Sequence, residues 1–306
     1  LGNAKQVMEY ARKVVELDPE DFTLLRQLGL QMARDGKLPE AIEYLKNARD
    51  SSKLKQKSGF FVLINRDLGL IYDIAGEKEK SADCYEVVFD GLRNPRDYSL
   101  DRRTLQELQR NSATSYERIG QVFLNANRIE KAREAFEAGL ENKNRRPGSL
   151  NLSLAEVYHK GKDDKKALEQ LEVFFKSRLR RGKAPYRLLQ QILRELKKEE
   201  DLLKRVESLA EETPRNRDLQ FFLAEVYIGF KRLDDAEKIY RDTLNNGANA
   251  EAYLGLATIF RQQGKSKELL DNLAKTLEKQ DQLLKLAEAF EVEMIAIKKD
   301  DQLLAA

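Results

Sequence analysis

The chain has 306 residues, of which 41% are hydrophobic, enough to bury a substantial core. Charged residues make up 35%, yet the formal net charge is only +3, which argues for a solvated surface and against a general polyanion binder. One His and one Cys exclude an intrachain disulfide and a zinc site built from several such ligands, and the longest apolar run, GFFVLI from Gly59, is far too short to span a membrane.

Taken in chain order, the sequence opens at Leu1 without Met or a signal-like segment and is already in a helical pattern. The chain therefore reads as a piece of a longer protein; localisation stays open, with a cytoplasmic setting as the expectation. Residues 1–20, ending in ELDP, read as the second helix of a pair whose first helix is missing. From residue 22 a pattern recurs: a large aliphatic residue, a small one, two variable positions, then an aromatic or Met. It appears as Leu28-Gly29…Met32 and Leu68-Gly69…Tyr72, then as Ile119-Gly120…Phe123 and Leu154-Ala155…Tyr158, and finally as Leu223-Ala224…Tyr227 and Leu256-Ala257…Phe260. Each is followed by a second marker, at Ala41, Ser81, Ala132, Ala167, Ala236 and Leu269, and then by a large residue, at Leu45, Tyr85, Phe136, Leu171, Tyr240 and Leu273. Between Leu154 and Leu223, a degenerate unit places Leu189, Gln190, Leu193, Leu202 and Val206 at the marker positions; without the small residues its helices are expected to pack more loosely or at another angle.

Apolar spacing of three and four residues marks amphipathic helices, and the breaks between markers, rich in Gly, Asn, Asp and Lys, mark turns. Each unit is then an antiparallel helix pair, the small residue allowing close approach and the large residues filling the space to the next pair. Two insertions interrupt the array, near 51–61 and over 91–112; TLQELQ in the second has helical spacing, giving an extra helix or an extension of the next one. Residues 284–306 read as a capping helix or the start of a further repeat.

These residues resemble the tetratricopeptide repeat family, whose helix-turn-helix unit carries L-G-x-x-Y and then A-x-x-x-F; LAEVYHKGKDDKKALEQLEVF and LAEVYIGFKRLDDAEKIYRDTL match over most of their length. The resemblance implies an all-α, right-handed α-solenoid (superhelix) of about seven repeats over 22–283. It also implies a non-catalytic protein-interaction scaffold without a cofactor, working within a larger assembly. Gly264-Lys265-Ser266 looks like the end of a phosphate-binding loop, but Ile259 holds the position of that motif's first glycine, and Gly264 falls where Gly36 and Gly76 fall in their repeats. The triplet is read as a helix-turn-helix corner.

In this family the first helices line a concave groove. The corresponding positions here are Arg26 and Leu30, Arg66 and Leu70, Glu117 and Gln121, Leu152 and Glu156, and, taken as the candidate partner site, Arg187, Gln191, Phe221, Glu225, Leu254 and Thr258. Arg187 and Gln191 weakly echo the clamp used by family members that hold a chaperone's C-terminal carboxylate. Phe222 and Glu251 stand where Asn and a cation are needed, which argues against that partner. Phe221, Ile228 and Leu254 read as a small apolar patch, open to a peptide or covered by the C-terminal helix through Leu283, Leu284 and Phe290.

Between Glu141 and Lys198, Lys and Arg outnumber Asp and Glu more than twofold. The loops carrying Arg145 and Arg146, and Arg178, Arg180, Arg181 and Lys183, are expected to form a basic edge ridge for nucleic acid or anionic lipid, the alternative being a plain solvated face. His159 is expected to line the groove and Cys84 to be packed beside Tyr85.

Overall fold

Most first helices in this chain begin where Asp, Ser or Asn precedes an apolar-periodic run. The computed structural model describes residues 13–110, 115–141, 147–247 and 249–265. Residues 13–17 are helical. Two repeat pairs follow: α1 (Phe22–Arg34) with α2 (Leu38–Asp50), and α3 (Gly59–Ile74) with α4 (Lys78–Arg93). After α5 (Arg102–Arg110) come α6 (Tyr116–Asn125) with α7 (Ile129–Glu141), and α8 (Pro147–Lys160) with α9 (Asp164–Lys176). The remainder is α10 (Ala184–Glu195) with α11 (Glu199–Glu212), α12 (Arg217–Gly229) with α13 (Leu233–Asn245), and α14 (Ala250–Gln262). No β-strand occurs among the described residues. Leu269 and Leu273, expected in the second helix of the last repeat, and the expected C-terminal helix lie outside them.

First helices start on side-chain caps: the side chains of Asp21, Ser58, Ser115, Asn216 and Asn249 accept bonds from backbone N–H groups in the first turns of α1, α3, α6, α12 and α14. Several second helices lack such a cap and instead place Glu40, Glu79, Glu199 or Asp234 in the first turn, where negative charge meets the positive end of the helix dipole. Between first and second helices the chain turns in the same way each time. The residue at the corner has positive φ, as at Gly36, Asn127, Lys162 and Gly264. The next N–H bonds back to the carbonyl of the aromatic or Met marker, as in Lys37 N to Met32 O at 2.9 Å and Arg128 N to Phe123 O at 2.8 Å.

The chain divides into two units, Leu1–Ser177 and Arg178–Ala306. In the first, Leu25, Leu45, Ile64 and Leu68 build one buried cluster, and Tyr85, Phe123, Phe136 and Leu154 build another. The small markers bring helices together: a Cβ on Gly120 would lie 2.4 Å from the Phe136 ring, and one on Gly29 2.7 Å from Leu45 Cγ. In the second unit, Phe221, Ala224, Tyr240, Leu256 and Phe260 form the core. The degenerate pair α10/α11 buries Leu189, Leu193, Leu202 and Val206, with its backbones close over a shorter stretch than in the other pairs, as the missing small residues lead one to expect.

Both insertions fold back onto the array. In the first, Leu54 is buried, and Ser51 Oγ donates to Glu20 O at 2.7 Å. In the second, TLQELQ forms the separate helix α5, started by Asp101, whose carboxylate accepts from Thr104 N at 2.7 Å, and anchored by buried Leu108.

Candidate protein-interaction surfaces

Within the second unit the first helices α10, α12 and α14 carry the groove positions. Arg187 and Gln191 on α10 are exposed, as are Glu225 on α12 and Leu254 on α14; Thr258 is half-buried and donates to Leu254 O at 2.9 Å. Phe221 departs from the expectation. Its side chain is fully buried, its ring 5.6 Å from that of Tyr240, with Ala224 and Ala252 beside it. Gly255 on α14 makes room for the Tyr240 ring, and Phe221 packs with that ring in the core and offers a partner no surface. Ile228 is half-buried against the same core, and the expected apolar patch reduces to Leu254.

Lys183 also departs from the expectation. The sequence assigns it to an outward basic ridge, but its ammonium turns onto the first-helix face, pairs with both Glu225 and Glu251, and lies 5.7 Å from the centre of the Phe221 ring. Burial works against the ammonium, but hydrogen bonds to Glu225 and Glu251 outweigh it and hold Lys183 above the ordinary lysine range. One side chain thus ties the start of α10 to α12 and α14. Arg178, Arg180 and Arg181 are exposed, whereas Arg145 and Arg146 lie outside the described residues.

In the first unit the corresponding face is partly closed by its own charges. Arg26 Nε donates to Asp67 Oδ2 at 2.7 Å, and buried Arg66 donates to Asp67 Oδ1 at 2.9 Å. His159 is only 7% exposed, with Nδ1 2.7 Å from Asp164 Oδ1, so it is a packed and paired residue more than a groove wall. Burial pushes the Cys84 thiol up to about 11, leaving it a poor nucleophile, as expected of a packed free cysteine. No helix among the described residues is long and apolar enough to cross a membrane.

Antiparallel helix pairs stacked through small-for-large contacts define a helical-repeat protein of the solenoid class. Tetratricopeptide repeat models match residues 118–174 and 200–259, spans that cover the α6–α9 region and the α11–α14 region. The chain thus carries tetratricopeptide repeats in both of its units. No curated protein matches it in sequence. Among solved structures, a tetratricopeptide repeat protein from Parabacteroides merdae is similar at 14% identity over 89% of this chain and 98% of that one, with a TM-score of 0.44. The pilF protein of Pseudomonas aeruginosa is similar at 18% identity over 73% and 90%, with a TM-score of 0.39. MamA is similar at 21% identity over 58% and 90%, also with a TM-score of 0.39.

Proposed function

We propose that this chain is a non-catalytic scaffold that holds an extended or helical peptide of a partner protein along the first-helix face of its second unit. Tetratricopeptide repeats are protein–protein interaction modules. The observation that supports this face is its residue mixture: Arg187, Gln191, Glu225 and Leu254 stand exposed on α10, α12 and α14, above the rigid floor of Phe221 and Tyr240. A cation, an amide, a carboxylate and an isolated apolar group on rigid helices suit side-chain-specific peptide recognition. The double variant Arg187→Glu, Leu254→Asp should keep its helicity and melting temperature while losing the proteins that cross-link to wild type. Capture of the same set by the variant would sink this reading.

The basic edge supports a second reading, docking on nucleic acid or anionic membrane through exposed Arg178, Arg180 and Arg181. The engagement of Lys183 with Glu225 and Glu251 removes one cation from that edge. Binding of single-stranded RNA or anionic vesicles that disappears from low to moderate salt would favour it.

A further inference from the structure

We propose a second docking site, on the opposite helices: the cleft between α4 and α7 of the first unit receives a cationic segment of a partner protein, with arginine or lysine alternating with apolar residues. The cleft encloses about 610 Å³, within the range of roughly 300–1,000 Å³ that accommodates a ligand of several groups. It is lined by second helices, so it is distinct from the groove face and does not rest on the reading of that face.

Its walls follow from helical spacing. Glu134, Glu137 and Glu141 recur at i, i+3 and i+7 on α7, and Glu86 and Asp90 at i and i+4 on α4, so each set shares one helix face. The α7 row is about 10 Å long at the helical rise, long enough to meet charges spaced along a short segment. Val87, Phe89 and Ala138 give the cleft an apolar element. One end belongs to the second insertion, where Tyr98 OH donates to Asp90 Oδ2 and Asn94 Nδ2 to Asp90 Oδ1, both at 2.7 Å. The chain's largest departure from repeat spacing therefore contributes to a cleft that regular repeats would leave open.

Charge selects the occupant. The lining holds five carboxylates against Arg93 and Lys131. The chain as a whole carries +3, so the cleft is a local reversal of sign that attracts a cation and repels a polyanion. Glu86 is taken up by Arg128 and Lys131, Asp90 by Tyr98 and Asn94, and Glu137 by Tyr158 and Arg133, whereas Glu134 and Glu141 are exposed at the α7 wall. The guanidinium of Arg93 lies 6.0 Å from the centre of the Phe89 ring on its own helix, so this cation of the lining is already engaged.

The test uses the full chain and a fluorescein-labelled peptide of alternating arginine and leucine, with a glutamate-for-arginine peptide as control. Anisotropy should show saturable binding of the basic peptide only, weakened by about tenfold or more in Glu134→Lys, Glu141→Lys and unchanged in Arg187→Glu, Leu254→Asp. Amide exchange should slow in α4 and α7 when the peptide is added to wild type. Absence of saturable binding, equal affinity in the charge-reversed variant, or protection appearing elsewhere would overturn the proposal. Loss of partner cross-linking in the groove variant, with peptide binding intact, would separate the two surfaces.

Discussion

Lys162, Lys197 and Lys231 hold φ values of 65°, 56° and 60° at helix corners where other repeats use Gly36, Gly76 and Gly264. A side chain in that left-handed region costs about 1–2 kcal/mol, against roughly 0.5–1 kcal/mol of additional chain entropy lost by glycine. Both corner hydrogen bonds at Lys231 are backbone to backbone, Lys231 N to Ile228 O at 3.0 Å and Arg232 N to Tyr227 O at 2.8 Å, so a glycine retains them. Lys231→Gly is therefore expected to raise stability by about 0.5–1 kcal/mol, seen as a higher urea midpoint at unchanged slope. A lower midpoint would mean that the lysine side chain contributes something its exposure hides. The sequence reveals that a corner exists but not its seat. Glycine marks it at 36, 76 and 264, whereas Gly161 precedes the left-handed residue by one position and Gly229 by two. Register, counted from the aromatic or Met marker, decides the position. Phe221 went unread for a related reason: its alignment column suggests the groove, but its ring is buried in a core shared with Tyr240 and with residues of a later helix.

At the scale of elements, the second insertion shows where local pattern ends and long-range contact begins. TLQELQ declares a helix by its own spacing; that Tyr98 and Leu108 bury themselves against neighbouring repeats depends on residues far along the chain. The Tyr98–Asp90 bond makes this attachment sensitive to pH. The hydrogen bond from Tyr98, with help from Asn94, holds the Asp90 carboxyl below the ordinary aspartate range. A depressed folded value means that the contribution is complete above the unfolded value near 4 and fades as pH falls through the folded one. The Tyr98 phenol is pushed the other way, up to about 12, by burial and by the same bond; its contribution holds below about 10 and is lost as pH rises through its folded value. Tyr98→Phe should cost about 1 kcal/mol at neutral pH and flatten the acid side of the stability profile, measured by urea unfolding from acid to neutral pH. Parallel profiles for wild type and variant would show that the bond does not couple to folding.

For the whole molecule, the repeat spacing made the solenoid class readable, because a helix pair with one apolar face has to stack on the next pair to bury it. The same additivity hides the partner: composition averages the charge to +3, while the structure leaves Arg178, Arg180 and Arg181 exposed in one stretch and gathers Glu134, Glu137 and Glu141 along one side of a cleft. Stability should follow the stacking as well, since each repeat is held mainly by its neighbours. Phe136 is fully buried against Gly120, at the centre of the cluster shared by α4, α6, α7 and α8. Phe136→Ala removes that ring and should cost about 3–5 kcal/mol locally. Hydrogen exchange should then lose protection in α6, α7 and α8 while α12 to α14 keep theirs, because the second unit has its own core of Phe221, Tyr240 and Phe260. Equal loss in both units would show that the chain unfolds as one cooperative body, and nearest-neighbour stacking would then be the wrong description of how this array is held together.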